Sequence, residues 1–292
     1  MKIAVDKIQT WLFVTGEIRG GTTFVGKVLS LPREVDYIHE PFNLRCGMPG
    51  MERRYLYVRP ELDTPEMQAF HEKARRIFSY DFQLQSSYHR RDSLSRKLIK
   101  KVVGTRGPFY LRLAKLNPFH KAAVIKDPTA PYTAAYMYEH FGVRPVIVLR
   151  HPASFIASLK RINWWPKATD VITQPALQAD FLANDAAYWS QDFSDPIRNA
   201  AAHWRLHFKI LLGCAAQYPD WVVVRLEDRG MTENDGKAEV THSNRVQDFN
   251  RDSAQIFALR RNSLSVEERR TIFELVHDVA LPYYSEESFA LG

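Results

Sequence analysis

Residues 15–23 read T-G-E-I-R-G-G-T-T, three glycines and two threonines around one arginine. Gly16, four residues, Gly21 and then Thr22 and Thr23 repeat the frame G-x-x-x-x-G-K-[ST], except that a threonine stands in the place of the lysine. A glycine-rich turn entering a helix aims successive backbone N–H groups at one point, and the helix dipole adds partial positive charge there. The chemistry is therefore anion binding, with phosphate as the natural ligand. Gly16, Gly20 and Gly21 permit the tight turn, Thr22 and Thr23 add hydroxyl donors, and Arg19 is the loop's fixed positive charge. An ATP or GTP site uses the missing lysine on its β and γ phosphates.

Other residues suggest a wider constellation. In V-I-V-L-R-H-P-A-S-F-I-A-S-L-K-R (146–161), Arg150 ends an apolar run and Pro152 can open a helix. Ser154, Ser158 and Arg161 then fall on one helical face. An arginine and a serine converging at a helix start make a second phosphate site. Y-I-H-E-P-F-N places His39 and Glu40 at the end of another apolar run. Strand alternation sends the two to opposite sides, and either can take a proton. Lys126, ending A-A-V-I-K-D, can offset developing negative charge or pair with Asp127 at the surface. His203 and His207 have the i, i+4 spacing of metal ligands, but Trp204 replaces the glutamate of H-E-x-x-H and no third ligand is evident in the sequence. They read as partly buried helix histidines, with no metal assigned. Trp164 and Trp165 can stack on a sugar or adenine or cover the core, and packing is the favoured reading.

The loop resembles the 5′-phosphosulfate loop of sulfotransferases, T-G-x-x-[RK]-S-G-T-T, with Gly20 in place of serine. The Arg150–Ser158 stretch resembles that family's 3′-phosphate motif, R-[DHN]-P-x-x-x-x-x-S. W-V-V-V-R-L-E-D-R-G (221–230) is similar to its late strand and acidic turn, with Leu226 in place of tyrosine. The resemblance implies a P-loop-like fold and a sulfotransferase activity. The cofactor would be 3′-phosphoadenosine 5′-phosphosulfate, with adenosine 3′,5′-bisphosphate as product and no metal required. Gly16, Arg19, Gly20, Gly21, Thr22 and Thr23 would hold the 5′ end, and Arg150, Ser158 and Arg251 the 3′-phosphate. It favours Glu40 as the base, since carbohydrate-type members carry glutamate before proline there, leaving His39 as the alternative. Lys126 and Arg19 would stabilise charge. The acceptor would be a hydroxyl of a carbohydrate or another small or lipid-linked alcohol. A P-loop nucleotide kinase or nucleotidase is the competing reading, and a silent nucleotide-binding module or basic nucleic-acid binder is a third.

These residues need a scaffold of short buried strands and covering helices. Apolar runs at 10–16, 35–40, 122–127, 144–150 and 221–227 alternate with helical patterns, which predicts an α/β fold. Its central sheet is mostly parallel and flanked by helices in a three-layer sandwich. Thr64-Pro65 and Ser265…Glu268 are helix-start signals. A single domain over 1–292 is expected, with helical insertions at about 43–120 and 163–196 on the acceptor side. The formal charge of +7 comes from scattered pairs such as Arg53-Arg54 and Arg269-Arg270, not from a basic block, so nucleic acid is not the expected partner. Two cysteines, no membrane-length apolar run and no signal-peptide layout suggest a cytoplasmic protein. The oligomeric state is not legible.

Overall fold

The computed structural model describes residues 7–87, 93, 95, 105–228 and 263–291. Among them, β1 (Thr10–Gly16), β2 (Val35–His39), β3 (Ala122–Lys126), β4 (Arg144–Leu149) and β5 (Val222–Arg225) form an all-parallel sheet flanked by helices. The strand order is β2-β3-β1-β4-β5. The α/β class and all five strands follow the sequence pattern, because a strand covered on both faces must be apolar along its whole length. Two compact units result. One comprises Met1–Thr15 and Thr22–Val146, the other Gly16–Gly21 and Ile147–Gly292.

In the first unit, Phe13, Val14, Ile38, Val124 and Ile125 form the fully buried centre of the sheet. Register fixes where the strands end. Val14 of β1 and His39 of β2 both lie opposite Lys126 of β3, so β2 and β3 finish at one level while β1 runs on to Gly16. Helix α1 (Thr22–Leu29) lies on β2 and β3. Helix α2 (Pro65–Phe78) opens as expected, with Thr64 Oγ1 accepting the Met67 N–H at 3.2 Å. Helix α3 (Arg106–Leu116) packs against β2. Helix α4 (Ala134–Phe141) stops where Gly142 turns left-handed at φ 60°.

In the second unit, α5 (Pro152–Ile162), α6 (Pro196–Ala215) and α7 (Val266–Ala280) pack on one another. Trp204 of α6 is fully buried and donates its indole N–H to the Arg150 carbonyl at 2.9 Å. The Arg205 guanidinium joins α6 to α7 through Asp278, at 2.6 to 3.0 Å. The predicted capping box at Ser265 and Glu268 is formed in both directions. Residues 163–196 contribute only short helical turns, among them Thr169–Ile172 and Ala186–Trp189. Among the described residues no helix is long and apolar enough to cross a membrane. Arg251 lies outside the described residues.

Candidate functional site

In the first unit, a polar cluster occupies the common end of β2 and β3. β2 stops at His39, and Glu40 takes a left-handed φ of 49° just before Pro41. A non-glycine residue in that region is strained by about 1–2 kcal/mol. The turn cancels the strand alternation. His39 and Glu40 therefore share a side, contrary to the period-two expectation, with His39 Nε2 3.8 Å from Glu40 Oε1. The Glu40 N–H donates to the Lys126 carbonyl at 2.8 Å, which locks the turn to β3.

Lys126 does not form the surface pair with Asp127. It is 2% exposed and its ammonium donates to Glu40 Oε1. Asp127, fully buried, instead accepts from the Phe42 N–H at 2.7 Å and from the Thr129 N–H and hydroxyl at 2.8 and 2.6 Å. Asn43 Nδ2 donates to Glu40 Oε2 at 2.7 Å, and the Cys46 thiol lies 3.8 Å from the same oxygen.

The electrostatics sort these groups into roles. Burial by itself would raise the Glu40 carboxyl, but Lys126, His39 and the two hydrogen bonds bring it down to about 2. Burial, reinforced by Lys126, holds the His39 imidazole well below its ordinary value, and its Nδ1 meets the Tyr37 hydroxyl at 3.0 Å. Burial and the Glu40 charge push Asp127 up to about 7. Glu40 is thus an ionised carboxylate and His39 a neutral ring near pH 7. Only Glu40 both carries charge and reaches the surface, at 17% side-chain exposure against 7% for His39. Lys27 of α1 adds a buried amine over the Tyr110 and Tyr37 rings, 3.0 and 3.7 Å from their centroids. Burial and Arg106 lower it to about 7.

In the second unit, the loop Gly16–Gly21 and the start of α5 form a cationic cluster. Gly16 has φ 142°, and a Cβ there would lie 2.4 Å from the Val148 carbonyl oxygen, so only glycine fits. The Gly20 N–H closes a turn on the Glu17 carbonyl at 2.8 Å. A Cβ on Gly20 would stand 2.7 Å from that same oxygen, so any larger residue there would force the turn to shift. Arg19 sits at φ 73°. Arg150 is 3% exposed and donates from Nη1 to the Arg19 carbonyl at 2.6 Å, so the two predicted phosphate elements meet. Burial and the nearby Arg161 both lower the Arg19 guanidinium.

The helix entry is braced from beneath. The His151 ring accepts the Ala153 N–H at 3.2 Å and caps α5. Glu227 accepts the His151 N–H and the Tyr284 hydroxyl, both at 3.0 Å. Ser158 and Ser154 are 3% and 2% exposed, and the Ser154 hydroxyl has no hydrogen-bond partner among the described residues. Thr22 and Thr23 begin α1, where the first N–H groups of any helix lack intrahelical acceptors. The sequence did not single out Glu17, whose carboxylate turns inward to His203, nor Asn43. The Glu17 contact spans 186 positions and no local pattern encodes it, whereas Asn43 lies only three residues from Glu40.

No family model and no curated protein matches the chain. Among solved structures it is similar to a sulfotransferase domain from the curacin biosynthetic pathway. Identity is 14%, coverage is 76% of this chain and 69% of that one, and the TM-score is 0.36. It is also similar to the sulfotransferase STF9 from Mycobacterium avium, at 13% identity over 97% of this chain and 67% of the other, with a TM-score of 0.34.

Proposed function

We propose that this chain is a sulfotransferase. It would move the sulfuryl group of 3′-phosphoadenosine 5′-phosphosulfate to a hydroxyl on a carbohydrate or another alcohol. The observation that carries the reading is Arg150, buried and hydrogen-bonded to the carbonyl of Arg19. It joins a lysine-less phosphate loop to a second cationic helix entry bearing Ser154, Ser158 and Arg161. A carrier with phosphates on both the 3′ and 5′ positions needs two such elements, whereas a nucleoside triphosphate needs one and its lysine.

The loop amides, Thr22 and Thr23 hold the 5′-phosphate, and Arg150 and Ser158 the 3′-phosphate. Arg19 offsets charge on the oxygen that leaves sulfur. Glu40 accepts the proton of the attacking hydroxyl, and the S–O bond to the phosphate breaks as the new one forms. Lys126 keeps Glu40 ionised in the resting enzyme. As charge builds on the bridging oxygen, Lys126 turns toward it, and Glu40 becomes more basic as the proton arrives. Positioning and electrostatics supply the rate, as in loose phosphoryl transfer.

Thermal shift with adenosine 3′,5′-bisphosphate, ADP and AMP tests this reading. A ligand of the folded state stabilises by mass action, so the bisphosphate should raise Tm most, with or without magnesium. A larger response to ADP with magnesium, or magnesium-dependent ATP turnover, would overturn it in favour of a kinase or nucleotidase.

A further inference from the structure

A second cluster lies behind the loop, in the same compact unit. His203 and His207 face the same way one turn apart on α6, their rings near-parallel at 19° and 6.0 Å between centroids. Both are fully buried, beyond the partial burial the sequence suggests. The third group is Glu17 of the loop, itself 1% exposed. Glu17 Oε1 lies 2.8 Å from His203 Nδ1 and 3.6 Å from His207 Nδ1. One ligand atom from each residue falls within 4.8 Å of the other two. No lysine or arginine pairs with this carboxylate among the described residues, and its Oε2 has no hydrogen-bond partner there. A buried carboxylate without a full counter-charge is costly.

We propose that Glu17, His203 and His207 bind a divalent transition metal of the zinc class. Two imidazoles and a carboxylate are the donor set that such ions favour. Donors in a tetrahedral centre with bonds of about 2.0–2.1 Å lie roughly 3.4 Å apart, and the two distances above bracket that value. The ion would be structural. It would tie α6 to a loop 186 positions away in the chain and add positive charge beside the buried Glu17 carboxylate.

The full chain, freed of any affinity tag, is assayed for zinc and iron by plasma mass spectrometry. About one ion per chain is expected. After stripping with a chelator, zinc chloride alone should restore the content and raise Tm by several degrees. In competition with a colorimetric chelator, Glu17→Gln and His207→Ala should bind zinc at least roughly tenfold more weakly, following the loss of a donor. His277→Ala, at an exposed position on α7, should match the unaltered chain. Should the variants fail to fold, the competition experiment on the unaltered chain decides alone. Metal-free protein that neither competes for zinc nor gains stability from it would overturn the proposal, leaving a hydrogen-bonded cluster. Every readout is the metal itself, so the result does not depend on sulfuryl transfer.

Discussion

At the scale of single residues, Glu40 combines a strained backbone, a buried ammonium partner and partial exposure. Glu40→Gln should lower turnover by about 10²- to 10⁴-fold while leaving adenosine 3′,5′-bisphosphate affinity unchanged. A steady-state assay with calorimetric binding would show this, and a fall in affinity would argue against the role. The carboxyl also links stability to acid. Its folded pKa is depressed to about 2, so its contribution is present above the ordinary value of 4.5 and disappears as pH falls toward 2. That contribution is on the order of 3 kcal/mol. Asp127 acts oppositely, since a carboxyl raised to about 7 erodes stability as pH climbs from its ordinary 3.8 toward neutrality. Urea titrations of the Gln variant and the unaltered chain from pH 2 to 8 should therefore differ little at pH 2. Above pH 5 the difference reflects the lost Lys126 pair, partly offset by relief of Asp127.

At the scale of elements, the capping box at the head of α7 is worth testing because that helix packs on both α5 and α6. Ser265→Ala should cost about 1 kcal/mol by urea titration, without altering ligand affinity. A change below about 0.3 kcal/mol would show that tertiary packing alone fixes the helix start. Features of this kind were legible from sequence because their causes are local. Thr64-Pro65, Ser265 with Glu268, and Gly142 each act within a single turn of chain. Strand identity was legible for a related reason, since two-sided burial leaves continuous apolar runs. The relation of His39 to Glu40 was not, because one left-handed residue reverses a parity that the pattern assumes. The partner of Lys126 was not legible either, for a different reason. Its neighbour Asp127 is the obvious partner in sequence, yet backbone and hydroxyl donors from Phe42 and Thr129 claim that carboxylate first.

At the scale of the whole molecule, the excess of seven positive charges favours anionic ligands without defining a nucleic-acid surface. Bisphosphate affinity should fall by roughly tenfold when salt rises from about 50 to 500 mM, as screening shortens the reach of the guanidinium groups. Calorimetry at several salt concentrations measures it, and a flat response would mean that neutral contacts dominate. The loop and the helix start proposed to hold phosphate could be located from sequence because each is a local pattern. The contact of Glu17 with His203 could not, since it joins segments far apart in the chain.

The turn closed by Gly20 on Glu17 has a consequence for engineering. Grafting a serine-bearing version of this loop would force a side chain against the Glu17 oxygen, and the four-residue turn would have to open to receive it. Gly20→Ser should therefore weaken the nucleotide capture proposed for this loop, although serine is what the motif it resembles carries there. Sequence consensus is a poor guide to improvement at this position.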